Sequence, residues 1–589
     1  MARAKEEIGR LIQGALGEIK ADLILTGGKL VNVYSGEILE GMDIAVLDGR
    51  ICYVGESSDH TRGEATELLN VRDLYVAPGF IDGHTHIGHF CRPYEFLQAY
   101  VPHGTTALMS SCDEHAAVFG FEGVRLFLDE VEGHPLRVYT LVPMVAPQDP
   151  LLCRTRSLSQ EEVARCLADP RVLGLGEVVS WLRLIQRDPE VLERIEMTLR
   201  AGKIVHGHTA GARDRKLAAI AAAQVSSCHE PVGEQEVLEK LRAGYWTMLR
   251  EGSFRQDMAG TLVPIVKRGL STQRLMLVTD GMAPDDVQDR GHVDFLVRRA
   301  VELGLPPVKA IQAVTLNPAT YSGLDADIGG IAPGRWADFA LLEDLVKVRV
   351  EATLISGRRV AQGGESLVTG NAMPLPPSAL APLRVKPVVA PEDFRIAAPP
   401  AGARARVMEL VNHTITREAV LELRATNGTV EAAPDRDVLK VAVFDRRGES
   451  GHISLGFLKG WGGRVGAVGT TVNLDEYALL VAGSNDRDMA RCANAILENG
   501  GGLAVVQGGV VLEKMRFPVG GIFSLEPWQK VGQSLRRVQR CLKERGSPFE
   551  KPLYPLFFLT FVTLPALRIT NRGLVRAKDR SLVPLWTRE

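Results

Sequence analysis

Over the first twenty residues, apolar side chains recur at Ile8, Leu11, Ile12 and Leu16, the spacing of one stripe on a short amphipathic helix. From residue 21 to 76 the period shortens toward two in runs at 22–25, 29–33, 43–46 and 50–54, separated by glycines. That pattern predicts the first part of a small β domain. Between 80 and 280, eight apolar runs begin near Phe80, Thr106, Arg137, Val172, Lys203, Gln224, Tyr245 and Leu275, each followed by a helix-like or loop segment. Eight such units in this length predict a (β/α)8 barrel over 77–327 in preference to an open doubly wound sheet.

In a barrel of this kind chemistry sits at the C-terminal ends of the strands. The first run ends in His84 and His86, which share a face because strand side chains alternate. The fourth ends in Glu177, the fifth in His206 and His208, the sixth in His229 and Glu230, and the eighth in Asp280. A lone histidine is more often a core or surface residue, and an aspartate after a strand is more often a cap. Ionisable groups at five strand ends together point to a metal centre. His206 shares a strand face with His208, and reads equally as an alternate ligand, a supporting group or a strand-end surface residue.

Residues 282–292 are polar and broken by Gly and Pro, the pattern of a mobile flap or an ordinary loop. Segments 328–342, 346–350 and 352–355 return to β character and are expected to complete the small β-sandwich domain over 328–370 from the far flank of the barrel. A proline-rich stretch, 371–405, predicts a linker, and 406–589 predict a further α+β domain. The glycine clusters of that domain lack the context of a phosphate loop and read as turns.

At 589 residues the chain exceeds one core. A formal net charge of -2 excludes an electrostatic case for nucleic acid or an anionic membrane as partner. Eight cysteines without a CxxC pair predict reduced thiols and a cytoplasmic protein. The N-terminal residues carry acids and lack the apolar run of a signal peptide. The most apolar tract, 552–567, is too short for a membrane span and is broken by Pro555 and Pro565, so it is expected in a core or subunit interface.

The ordered set His84-x-His86, Glu177, His208, His229 and Asp280 resembles the amidohydrolase superfamily. Within it, Gly79-Phe80-Ile81-Asp82-Gly83-His84-Thr85-His86, Gly174-Leu175-Gly176-Glu177-Val178, Leu249-Arg250-Glu251-Gly252-Ser253, Val278-Thr279-Asp280-Gly281 and Gly483-Ser484-Asn485-Asp486 resemble the bacterial-type adenine deaminases. The resemblance implies two divalent ions, with Glu177 bridging, His84, His86 and Asp280 on one, and His208 and His229 on the other. Mn²⁺ or Fe²⁺ is favoured by the likeness, while the ligand types also suit Zn²⁺. It further implies hydrolysis of adenine to hypoxanthine and ammonia, with Asp280 as proton carrier and Glu114 as donor to a ring nitrogen. His89, Asp113, Arg250 and Ser253 are the expected contacts to a small heterocyclic substrate, and a homodimer or higher homo-oligomer is expected. The chain departs from the family pattern at Gly88-His89, at Ser111-Cys112-Asp113, and at Asn473-Leu474-Asp475-Glu476-Tyr477-Ala478, where the family carries two histidines. Another purine, a cyclic amide or amidine, and an inactive ligand-binding homologue are therefore the alternatives to adenine.

Overall fold

The computed structural model describes residues 4–144, 148–155, 158–380, 383–399, 401–448 and 450–588. Eight parallel strands form the central body: β1 (Phe80–His86), β2 (Thr105–Ser111), β3 (Arg137–Val142), β4 (Val172–Val178), β5 (Ile204–Gly207), β6 (Ser227–Cys228), β7 (Trp246–Arg250) and β8 (Leu275–Val278). Each starts at or within a few residues of the apolar run that predicted it. They lie in two hydrogen-bonded arcs, β1 to β5 and β6 to β8. The arcs meet where the Asp280 amide donates to the His84 carbonyl at 3.0 Å, and where the Gly207 amide donates to Ser227 Oγ at 3.0 Å. Ile81, Ala107, Met109, Met248, Met276 and Val278 share one buried cluster, so the strands enclose a packed core and not a pore.

A nine-stranded sheet flanks this body. Its strands come from both sides of the barrel in sequence, and Tyr75–Pro78 pairs antiparallel with Phe339–Leu342 to join them. The helix Lys5–Ala15 packs on this sheet, with Gly14 close against Leu47 and Cys52.

The last domain is built on a second nine-stranded sheet and grips the barrel mouth at two places. Phe90–Cys91 pairs in parallel with Phe523–Ser524. Residues 282–292, expected as flap or loop, instead contain the helix α1 (Pro284–Arg290), whose first turn is buried against α2 (Trp528–Lys543). Its acids find distant cations: Arg536 Nη2 donates to Asp289 Oδ1 at 2.6 Å, and Lys551 Nζ lies 3.1 Å from Asp286 Oδ1 and also contacts Asp285. Charge pairing across domains ties down a segment whose local composition reads as a flap or an ordinary loop. Among the described residues no helix is long and apolar enough to cross a membrane.

Candidate active site

The base of the site is a lock between the first and last strands. Asp82 is fully buried; its Oδ2 accepts from Thr279 Oγ1 at 2.5 Å, and its Oδ1 accepts from the Thr279 and His84 amides at 3.2 and 3.3 Å. Burial pushes its carboxyl up to about 7. This lock brings His84 on β1 beside Asp280 just past β8, with Nε2 3.1 Å from Oδ1.

Glu177 stands at the centre. Its Oε1 lies 3.1 Å from His86 Nε2 and 3.6 Å from His84 Nε2, while Oε2 lies 2.7 Å from His208 Nδ1 and 3.2 Å from His229 Nε2. One carboxylate thus presents each oxygen to a different pair of imidazoles. Burial opposes its charge, but His229, His84 and His208 hold it well below the usual range. Burial likewise opposes charge on His86, yet the Glu177 hydrogen bond drives that imidazole up to about 10. His84, fully buried and beside His229, is driven down to about 4. All six expected ligands come together, and ligand atoms of His84, Glu177, His229 and Asp280 lie within 4.8 Å of one another. His86 forms a similar group with Asp113 and Glu177, and His208 with His229 and Glu230. Imidazole nitrogens and carboxylate oxygens packed this closely fit divalent ions.

His206 is fully buried under this cluster, its ring 4.7 Å from that of His84 and its Nδ1 3.1 Å from Tyr321 Oη. Arg250 is also buried: Nη1 bonds Asp280 Oδ2 at 3.0 Å and contacts Glu230, while Nη2 bonds Asp257 at 3.0 Å. Its fork is directed at carboxylates of the site and is committed to holding them.

A cavity of about 110 Å³ opens over this floor. His86, His89, Asp113, Glu177, His208, His229, Arg250 and Asp280 are on its wall, and His84 lies beneath. Two expected residues are not on the wall. Ser253 donates to Asp286 Oδ2 at 2.6 Å and accepts from the Ala283 amide at 2.7 Å, so its hydroxyl fastens α1. Glu114 is fully buried behind the wall with both oxygens free of hydrogen bonds, close to Gly88 and to His115. Burial opposes its charge, but His89 and His115 hold its carboxyl down to about 2. Its neighbour Asp113 is the carboxylic group that faces the cavity.

The opposite wall comes from the last domain: Leu474, Asp475, Tyr477, Phe558, Phe561 and Leu564. The 552–567 tract is therefore buried as expected, but part of it roofs the site. Asp475 and Tyr477 fall in the segment marked as a departure from the family pattern. No periodicity could have placed them, because both depend on single backbone angles in a loop.

Residues 75–360 match the amidohydrolase family model, and 413–581 match the adenine deaminase C-terminal domain. The chain is 38% identical over 585 residues to an adenine deaminase of Cenarchaeum symbiosum, covering 99% of this chain and 96% of that protein. It is 39% identical over 583 residues to an adenine deaminase of Moorella thermoacetica, covering 98% of each. Among solved structures, a β-aspartyl dipeptidase of Fervidobacterium islandicum AW-1 aligns with a TM-score of 0.47 at 18% identity, over 59% of this chain and 99% of that one. Taken with near full-length identity to these relatives, the barrel and its ligand cluster are those of a hydrolytic enzyme, and the chain belongs to the adenine deaminase family.

Proposed function

We propose that this protein is a metal-dependent adenine deaminase that converts the free base to hypoxanthine and ammonia. The observation that carries the reading is the placement of Glu177, one oxygen toward His84 and His86 and the other toward His208 and His229, at the floor of a small cavity. His84, His86 and Asp280 would hold one divalent ion and His208 and His229 the other, with Glu177 shared; manganese or iron is our assignment. Bound there, the ions supply Lewis acidity that makes hydroxide available from water near neutral pH.

This chain's residues do the rest. Asp280, kept anionic by His229, His84 and Arg250 in spite of its burial, accepts the proton of the attacking water. Water adds at C6 of the base, and Asp280 returns the proton to the exocyclic nitrogen, which leaves as ammonia. Asp113, on the wall beside His86, is placed to donate to the ring nitrogen next to C6, and the hydroxyl proton of the C6 adduct returns to it as the carbonyl of hypoxanthine forms. Eight buried free cysteines accord with work in the cytoplasm.

The test is ammonia release from Mn²⁺- or Fe²⁺-reconstituted protein offered adenine, other purines and cyclic amides. Adenine is expected to yield equal ammonia and hypoxanthine at about 1 per second or faster. An inert response to adenine with turnover of another ring would refute the substrate and keep the chemistry.

A further inference from the structure

The loop at 473–478 is built to present two side chains to the cavity. Asn473, fully buried, closes it: its Nδ2 donates to the Ala478 carbonyl at 2.6 Å, its Oδ1 accepts from the Ala478 amide at 3.2 Å, and its own carbonyl accepts from the Tyr477 amide at 2.9 Å. Within this clamp Asp475 and Tyr477 have φ of +77° and +48°. Positive φ is uncommon for aspartate and strained for a ring-bearing residue, and such strain persists where surrounding contacts over-determine it. Both residues line the cavity. The Asp475 carboxylate is already engaged by the Gln148 amide at 3.0 Å, which docks the loop on the barrel.

Tyr477 is different. Its ring lies nearly parallel to that of His89, with centroids 5.9 Å apart, and its hydroxyl is 3.1 Å from His89 Nε2. A phenol oxygen donates one proton and accepts through two lone pairs, so the His89 bond leaves it capacity at the cavity surface. Of the other polar groups on the wall, Arg250 is committed to Glu230, Asp257 and Asp280, and Glu177 faces four imidazoles, while Asp113 stands beside His86 on the barrel side.

We propose that Tyr477, held by His89, is a specificity-determining residue that hydrogen-bonds a ring nitrogen of the heterocycle across the cavity from the metal-binding side chains. This rests on the cavity being the site of base deamination. Buried hydrogen bonding of this kind discriminates strongly, because an analogue lacking the partner atom leaves the site's polar group unpaired.

The experiment compares holoenzyme with the Tyr477→Phe, His89→Gln and double variants, each checked for metal content and melting transition. Read for each are KM, kcat and the dissociation constant of hypoxanthine, with adenine and its 1-, 3- and 7-deaza analogues as substrates or competitive ligands. Tyr477→Phe is expected to raise KM and the hypoxanthine dissociation constant at least tenfold, more than it lowers kcat. It should also erase discrimination against one deaza analogue while leaving the others, and the double variant should be no weaker than the worse single one. Unchanged binding constants with all deaza discrimination intact would overturn the proposal, and His89→Gln decides it if Tyr477→Phe does not fold. If the wild-type enzyme ignores adenine but turns over another ring, the deamination reading fails separately, and the same comparison of KM on that ring judges Tyr477.

Discussion

Arg250 Nη1 stands 3.0 Å from Asp280 Oδ2, and the same guanidinium contacts Glu230 and Asp257. A fully desolvated cation that joins three carboxylates is a structural keystone of the site. Its removal leaves buried anions uncompensated, which costs about 3–5 kcal/mol in comparable cases. Arg250→Gln is therefore expected to lower the denaturation midpoint markedly and to reduce kcat about a hundredfold, with Arg250→Lys failing to restore either because a point charge cannot reproduce the fork. Thermal denaturation and steady-state kinetics on the two variants provide the check.

Asp280 has a chemical role beyond its ionic one. Replacing it by Asn keeps the volume and removes the proton acceptor, so turnover is expected to drop by about 10³-fold or more while far-UV circular dichroism stays native. Undiminished activity in Asp280→Asn would remove it as the carrier.

Glu177 offers an oxygen to each half of the imidazole cluster, and Gln keeps only one oxygen with lone pairs. Glu177→Gln is expected to bring metal content below two ions per chain after dialysis. Elemental analysis showing two ions retained would contradict a shared carboxylate.

Glu476 gives a pH dependence of stability. It is fully buried next to Asp475, accepts one bond from the Asn571 amide at 3.2 Å, and leaves Oε2 without a partner; burial pushes its carboxyl from 4.5 up to about 8. The folded form thus binds this proton more tightly than the unfolded chain does. The stabilisation is complete below about 4.5 and is lost as pH rises through about 8. Glu476→Gln is expected to melt at the wild-type temperature near pH 4.5 and several degrees above it at pH 9. Calorimetry at four or five pH values would show either diverging or parallel curves, and parallel curves exclude the effect.

Gly88 is fixed by a neighbour rather than by its own backbone. A Cβ built there falls inside the van der Waals envelope of Glu114 Oε1, and Glu114 is fully buried, so its side chain has to shift within the packed interior. Gly88→Ala is expected to destabilise by about 1–3 kcal/mol through overpacking and to displace His89, so that KM rises together with the loss of stability. Denaturant titration and Michaelis kinetics on one preparation measure both.

The strands and the ionisable side chains at their C-terminal ends could be read from the sequence because each depends on local rules, a period of two along a strand and chemistry at its C-terminal end, while their grouping as metal ligands came from the family resemblance. Glu114 and Ser253 lie off the cavity wall for the opposite reason. Asp113 and Glu114 open one helix, where successive side chains diverge by about 100°, so one faces the cavity and the other is buried behind it. Ser253 sits three residues past Arg250, yet its hydroxyl is claimed by Asp286. The helix after Asp280 escaped notice because its stability depends on Lys551 and Arg536, some 250 residues further along. Local composition carries no record of partners at that separation. Likewise the apolar tract near the C-terminus announced burial but not what it would cover.

His89 and Tyr477 meet side by side on the cavity wall, 3.1 Å apart, although 388 positions separate them in the chain. On a ribosome adding roughly 5–20 residues per second, about 20 to 80 seconds pass between synthesis of the two. Asp280, the last side chain proposed to hold an ion, precedes Tyr477 by 197 residues, so for about 10 to 40 seconds of that interval the whole set is made while the mouth still lacks this roof. The part of the chain that roofs the cavity is thus made well after the side chains on its floor.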